Sequence, residues 1–387
     1  MKVGYSYLLE QFNVGDTEVK VKYMDLPKQA HAEDMLNDIR ELLLKTGQFT
    51  LGPQVAEFES KFAKLCQTKY AVGLSSGTDA LFLSMKVLDI GLGDEVITAP
   101  SSFIATAASI AIAGAKPVFV DVNDEYNINP DLIEASITPK TKAIIPVHLT
   151  GNPADMPRIL EIASKYKLYI IEDAAQAISA HIDGKAAGSF GIAGCFSLHP
   201  LKNLNVWGDG GVLTTNSKEL YEKSLLLRNH GLKNRDECVM FAFNSRLDTL
   251  QAIVAIRLMD DLEDITNTRI KHARIYDKAL SEINEINLPP RKENVKQVFH
   301  TYVIQAKDRN ALYKHLLDNG VEAKVHYPIP LHLQEAAKYL GYKEGDFPVC
   351  EAQAKSILTL PVHQHLTEAQ LVYVIDTIKK FYGSKPA

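Results

Sequence analysis

"YAVGLSSGTDALFLSMKVL" runs from Tyr70 to Leu88. Its first five residues, Tyr70–Leu74, form a short apolar run of strand length, and Ser75, Ser76, Gly77 and Thr78 follow as a turn. Leu81, Met85 and Leu88 then recur at the spacing of one helical face. Strand, small-residue turn and helix together make the repeating unit of a parallel sheet.

The unit repeats along the chain. "EVITA" (95–99), "PVFVD" (117–121), "AIIPV" (143–147), "LYIIE" (168–172), "GCFSL" (194–198) and "GVLTT" (211–215) predict six further strands. Helical patterns near 78–89, 102–113, 130–137 and 155–167 separate the first five. This predicts an α/β fold with a mostly parallel seven-stranded sheet. Only residues 199–210 join the last two strands, which leaves room for that pair to run antiparallel.

Residues 1–50 read as a polar arm with one helix, "HAEDMLNDIRELLLKTG", whose Met35, Ile39, Leu42 and Leu43 share a spacing and whose Gly47 is a stop. Residues 51–285 form the expected large domain, with 217–285 helical. Residues 286–387 form a smaller α/β domain beyond the hinge "LPPRKENVKQ". There "VFHTYVIQA", a helix near 308–319, "GVEAKVHYP" and a helix near 367–382 resume the alternation.

Composition excludes several classes. The net charge is −5 and no basic cluster is interleaved with aromatics, so nucleic acid is not an expected partner. Cys66, Cys195, Cys238 and Cys350 lie far apart with no CxxC pair, and the twelve histidines show no HExxH spacing, so neither a zinc site nor a disulfide framework is expected. "MKVGYSYLLEQF" lacks the apolar run of a signal peptide, and no stretch has the length of a membrane span. The expectation is a cytoplasmic protein.

Open parallel sheets bind ligands beyond the carboxyl ends of their strands. After the first strand, Ser75–Thr78 at a helix start can seat an anion, though the same residues also serve as an ordinary cap. After the second, Phe103 offers a flat face to a flat ligand, or fills core. At the end of the fifth, Glu172 and Asp173 are adjacent, so alternation lets one face the cleft, with Gln176 three residues on; a helix-capping Asp is the plain alternative. Lys202 lies in the mostly apolar "FSLHPLKNL", where burial would lower an amine's pKa, and Ser197 precedes it. A phosphate seat, a stacking face, a carboxylate and a lysine are together what pyridoxal phosphate requires: the lysine forms a Schiff base and the carboxylate keeps the pyridine nitrogen protonated. "GLGDE" (91–95) precedes a strand and "GDGG" (208–211) reads as a turn, so neither is a nucleotide fingerprint.

With these motifs the sequence resembles the DegT/DnrJ/EryC1/StrS sugar aminotransferases. The resemblance runs from "TGQFTLGPQVAEFE" (46–59) to "LTLPVH" (358–363), through "SSGTDAL", "PSSFIAT", "HLTGNPADM", "IIEDAAQA", "FSLHPLKNL", "GDGG", "RNHGL", "NSRLDTLQAIVA" and "HYPIPLHLQ" in order. It implies the pyridoxal-phosphate-dependent transferase fold of type I, as a homodimer with shared active sites. It implies that Lys202 is the Schiff-base amine and proton shuttle, that Asp173 pairs with the pyridine nitrogen and that Phe103 stacks on the ring. Gly77, Thr78 and Ser197 would hold the phosphate, Gln176 would lie beside the ring oxygen, and Asn244 would reach the phosphate from the partner subunit. Trp207, Arg246, His326, Tyr327 and His332 are candidates for the sugar pocket; packing is the other reading of His326 and His332. Relatives that dehydrate sugars carry histidine in place of the lysine, so Lys202 implies transamination.

Glutamate is the implied amino donor. The first twenty residues, ahead of "VKYMDLPKQ" (21–29), and Trp207 in "NLNVWGDGG" resemble the members that aminate the C8 aldehyde of an oxidised 3-deoxy-manno-octulosonate for lipopolysaccharide. The alternatives are a nucleotide-linked 3- or 4-keto-deoxysugar as substrate and, in another class, a non-catalytic regulator that binds pyridoxal phosphate.

Overall fold

The computed structural model describes residues 18–28 and 32–383. Its main sheet has seven strands: β1 (Tyr70–Leu74), β2 (Glu95–Thr98), β3 (Lys116–Phe119), β4 (Thr141–Ile145), β5 (Tyr169–Asp173), β6 (Ala193–Ser197) and β7 (Gly211–Thr215). Their order across the sheet is β1-β7-β6-β5-β4-β2-β3. β7 runs antiparallel to both neighbours, and the other pairs are parallel. The short connection from β6 to β7 has no room for a crossover helix, so the chain doubles back. Leu198 N–H donates to Gly210 O at 2.8 Å and Val206 N–H to Leu198 O at 2.9 Å, which closes this loop at its base.

The sheet is covered on both faces. Ala71, Phe196 and Val212 point into one apolar layer, while Val72, Leu74, Cys195 and Leu213 point into the other. That two-sided burial explains why these strands read as unbroken apolar runs. The helices α1 (Ala32–Lys45), α2 (Pro53–Leu65), α3 (Gly77–Val87), α4 (Ile104–Ala113) and α5 (Met156–Tyr166) supply the large body, followed by α6 (Lys218–Leu227), α7 (Thr249–Asp260) and the long α8 (Leu262–Leu280). Helix α1 buries Met35 and Leu42 but leaves Leu43 61% exposed, so its stripe is narrower than its spacing predicts. Gly47 ends the arm helix as expected, donating to Leu42 O at φ +60°.

A second sheet joins β8 (Ile286–Asn287), β9 (Tyr302–Ala306) and β10 (Ile357–Leu360), all antiparallel. Its core takes Tyr276 and Leu280 from α8 and Val21 from the amino-terminal segment. The helices α9 (Arg309–Asp318), α10 (Pro348–Ser356) and α11 (Glu368–Phe381) complete this region.

Three expectations need correction. Residues 130–137 form two short 3-10 turns, Pro130–Leu132 and Glu134–Ser136, because Asn129 caps at once and Pro130 starts a tight turn. Residues 217–285 are helical only in α6, α7 and α8; between them, 228–248 is a loop folded on itself through the bridges Asn229–Asn244 and Leu232–Cys238. "GVEAKVHYP" forms no ladder, only isolated bridges at Val321 and Lys324.

Register carries the functional consequence of β7. Gly211 lies opposite Leu74 on β1 and opposite Ser197 on β6. The turn after β1 and the loop after β6 therefore meet at one edge. A Cβ on Gly211 would lie 2.2 Å from the backbone of Ser76. Gly211→Ala is expected to cost about 3 kcal/mol of stability, the upper end of ordinary overpacking, because backbone cannot yield as a side-chain tip can. Urea unfolding of the variant against the parent measures it, and unchanged stability would refute the close approach.

Candidate active site

Helix α3 begins where β1 ends. Ser76 caps it, accepting the Asp79 N–H at 3.1 Å. Ser245 Oγ donates to the Asp79 carboxylate at 2.7 Å, and Ser75 Oγ donates to the same oxygen. The amides of Gly77 and Thr78, in the first turn, have no carbonyl within the helix to bond. An anion is held well there by free N–H groups and the helix dipole. A Cβ on Gly77 would lie 2.9 Å from Ser197 Cβ, so only glycine lets the end of β6 come so close. Gly77, Thr78 and Ser197, each part-accessible, are thus brought together.

Glu172 and Asp173 divide as alternation requires. Glu172 is fully buried on the side away from the cleft, accepting N–H bonds from Gly188, Phe190 and Gly191 at 2.7 Å each. His148 also reaches it at 3.0 Å. Ala154 N–H donates to His148 Nδ1 at 3.1 Å, so the ring proton is on Nε2 and is donated to Glu172. Asp173 takes the cleft. Its carboxylate accepts from Thr106 Oγ1 at 2.7 Å and from Ala175 N–H at 3.2 Å. Thr106 has one proton to give, so Ser102, 2.7 Å away, donates to Thr106 in turn. Burial holds the Asp173 carboxyl above its ordinary value, while these hydrogen bonds and the field of Lys202 pull it back.

Lys202 sits in the β6–β7 loop. Its N–H donates to His199 O at 2.8 Å, and Asn205 Nδ2 donates to its carbonyl at 3.2 Å. Asn203 Nδ2 ties the next residue to Val298 O at 3.0 Å. The side chain is part-accessible yet crowded by protein, and burial pushes its amine down from 10.5 to about 8. Asp173 resists that shift. Two imidazoles feel the amine. Burial, then Lys202, holds His326 down at about 4 and His300 well below its ordinary value. Both rings are neutral at neutral pH.

Aromatic and amide groups form one wall. Gln176 Oε1 accepts from Thr150 N–H at 2.9 Å, and its Nε2 donates to Tyr327 Oη at 3.4 Å. The Tyr327 ring lies 5.9 Å from Phe103, which is 55% exposed and fills no core. His326 Nδ1 is 3.1 Å from Thr359 Oγ1. His332 is placed elsewhere: it is 2% exposed, its Nε2 3.0 Å from Glu351 and its ring packed on Phe347. Packing, the alternative stated for it, describes that environment. Trp207 is 40% exposed on the Lys202 loop, its carbonyl accepting from Gln251. Arg246 and Asn244 lie on the 228–248 loop, Arg246 donating to Asn229 at 3.0 Å and Asn244 exposed.

Sequence reasoning missed two members. Thr106 orients Asp173, and its signal was present in "PSSFIAT", where a hydroxyl recurs on one face of the helix start after Ser102. His300 was hidden in "VFHTYVIQA", read only as a strand; a histidine at the mouth of an apolar run was the available clue.

This donor set suits pyridoxal phosphate. The seat is a cradle that a Cβ would fill, the amine is partly neutral near pH 8, and one buried carboxylate faces it. Known proteins agree. The DegT/DnrJ/EryC1/StrS aminotransferase family matches residues 29–379. The chain is 42% identical over 370 residues to the pleiotropic regulatory protein of Geobacillus stearothermophilus, covering 94% of this chain and 99% of that one. It is 41% identical over 339 residues to the UDP-N-acetyl-3-dehydro-alpha-D-glucosamine 3-aminotransferase of Acidithiobacillus ferrooxidans, covering 87% and 91%. Among solved structures, DesV of S. venezuelae in complex with a ketimine intermediate matches with a TM-score of 0.92 at 36% identity, over 95% of this chain and 100% of that one. The chain belongs to the DegT/DnrJ/EryC1/StrS aminotransferase family and is a sugar aminotransferase dependent on pyridoxal phosphate.

Proposed function

We propose that the protein moves an amino group from glutamate to a ketone carbon of a nucleotide-linked sugar, with Lys202 as its catalytic amine. The observation that carries this reading is the desolvated Lys202 amine facing one carboxylate, Asp173, from the next strand. Pyridoxal phosphate, when bound, supplies the electron sink for the bond broken at the amino donor. Gly77, Thr78 and Ser197 would hold its phosphate and Asp173 its pyridine nitrogen. Phe103 would cover one ring face, and Gln176 would meet the ring oxygen. An amine with a value near 8 takes the donor's α-proton and returns it at little cost near neutral pH. Neutral His300 and His326 add no positive charge that would drive the Lys202 proton off before it is needed.

The nucleotide-linked reading is supported by the Acidithiobacillus relative, whose name specifies a UDP-linked 3-dehydro sugar. A second reading, the C8 aldehyde of an oxidised 3-deoxy-manno-octulosonate, is favoured by Trp207, whose large exposed ring stands on the same loop as Lys202. The first twenty residues, also part of that reading, lie almost wholly outside the described residues. A regulatory role without turnover is disfavoured by the retention of both Lys202 and Asp173.

We propose a homodimer in which Asn244 serves the partner's site. Phe241 on the same loop is completely exposed, and Leu36, Leu43 and Leu44 on α1 are more than half exposed, apolar surface that a partner subunit would cover. No helix among the described residues is long and apolar enough to cross a membrane. A cytoplasmic enzyme, where nucleotide sugars and glutamate are both found, is the reading consistent with these substrates.

The purified protein should be yellow, and glutamate should convert its spectrum to that of the pyridoxamine form. Addition of a UDP-linked 3-keto sugar should restore the yellow form, and the octulosonate aldehyde should not; the reverse result selects the second reading. Conversion by glutamate with amination of no sugar at all would defeat both. Asp173→Asn should retain cofactor but lose about 100-fold or more in turnover, the scale for removing one preorganised electrostatic group. In cofactor-free protein, reductive methylation of Lys202 should follow a midpoint near pH 8, against 10.5 for an ordinary lysine. Asp173 raises that midpoint, so Asp173→Asn should move it lower still. Peptide mapping across a pH series reads both, and a midpoint near 10.5 would defeat the desolvation argument.

A further inference from the structure

The segment 18–28 is strapped across the second sheet. Lys20 N–H and Val21 N–H both donate to Gly320 O, at 2.9 and 3.0 Å, and Glu322 N–H donates to Val21 O at 3.0 Å. Tyr23 N–H donates to Glu322 Oε2 at 2.7 Å, and His363 Nε2 lies 3.2 Å from Lys22 O. Val21 is buried in the core. The backbone on either side of Tyr23 is therefore fixed, and its side chain has little freedom of direction.

That side chain extends the aromatic wall. The Tyr23 ring lies 5.8 Å from His326, His326 lies 5.4 Å from Tyr327, and Tyr327 lies 5.9 Å from Phe103. Four rings thus run from the start of α4 to the amino-terminal strap, and Tyr23 is the end most distant from Phe103. The inner members have polar partners: Gln176 for Tyr327 and Thr359 for His326. The Tyr23 hydroxyl has none among the described residues, although the side chain is only part-exposed. The hydroxyl is not sealed off from solvent, so it is open to a hydrogen-bonding group supplied from outside the chain.

The phenol has a proton to donate at neutral pH. Burial raises the Tyr23 phenol above its ordinary value, and the opposing pull of the Arg269 guanidinium does not cancel it, so the phenol keeps its proton. Arg269 itself is 1% exposed and spent on Gln364 and on the carbonyls of Phe299 and His300. It fixes the His300 loop and cannot reach a ligand.

We infer that Tyr23, carried on the amino-terminal strap, is a specificity-determining residue whose hydroxyl donates a hydrogen bond to a hydroxyl oxygen of the sugar substrate. This rests on the sugar reading given above. Tyr23 stands at the outer end of the ring row and touches no group assigned to the phosphate or the pyridine nitrogen, a position that suits the sugar, the bulkier of the two substrates, better than glutamate.

The test is Tyr23→Phe in the holoenzyme, with the single tryptophan, Trp207, as a fluorescent reporter on the lysine loop. The probes are UDP-N-acetylglucosamine and free 3-deoxy-octulosonate, stable hydroxylated analogues of the two sugar classes. Tyr23→Phe should bind the recognised probe about three- to tenfold more weakly, the range for one neutral hydrogen bond. The glutamate concentration that half-converts the spectrum should not move, nor should the thermal midpoint. Equal affinity for the probe in parent and variant would overturn the assignment to Tyr23 alone. An equal shift in the glutamate midpoint would make Tyr23 a scaffold residue and overturn it too. A parent protein that binds neither probe would overturn the sugar reading and the inference with it.

Discussion

The antiparallel insertion of β7 between β1 and β6 is the constraint on which the cleft depends. Because Gly211 pairs with Leu74 on one side and Ser197 on the other, the seat after β1 and the loop after β6 cannot move apart without breaking two ladders. The contact is tight enough that neither Gly77 nor Gly211 can carry a side chain without displacing the neighbouring strand end or turn. An anion seat and an amine, on segments more than a hundred residues apart in sequence, are thereby held at a fixed separation by backbone alone.

Electrostatics then divide the labour between two adjacent acids. Glu172 receives three amide protons and one imidazole proton, which satisfies it as a structural anchor for residues 188–191. Asp173, one residue on and facing the opposite way, keeps only a hydroxyl and one amide. A poorly compensated buried carboxylate next to a poorly compensated buried amine is costly to fold, and each group's unfavourable burial is eased by the other. Strain of this kind concentrates where a ligand will complete the set.

Much of the fold was legible because the sheet is buried on both faces. Such strands leave continuous apolar runs, and the seven predicted runs fall on β1 to β7 with ends displaced by two residues or fewer. The antiparallel reversal could be anticipated from loop length alone. What escaped was set by long-range packing. The 228–248 loop looks like more helix, but its bridges and exposed Phe241 show chain folded on itself with surface to spare. β10, "ILTL", is a plain apolar run, yet it sits between two helical patterns and pairs with a strand some fifty positions earlier. At the site, Gly77, Thr78, Asp173, Ser197 and Lys202 could be singled out as candidates because each ends or follows a strand. Thr106 and His300 were not, since their importance lies in which side chain they approach. His332 looked like the neighbour of His326 in sequence, but the turn at Leu331–Leu333 carries it inward to Glu351 and Phe347.

The strap gives the chain an unusual order of assembly. Tyr23 and Glu322 are hydrogen-bonded across 299 positions, and Val21 is core to a sheet made almost entirely from the last hundred residues. On a ribosome the large sheet can close long before that partner exists. Residues 20–23 must wait, unhoused, until Gly320 and Glu322 have been made, because contacts between distant positions form only after the intervening chain is in place. The amine and the anion seat therefore take shape early, while the outer end of the cleft is finished only when the strap meets Gly320 and Glu322.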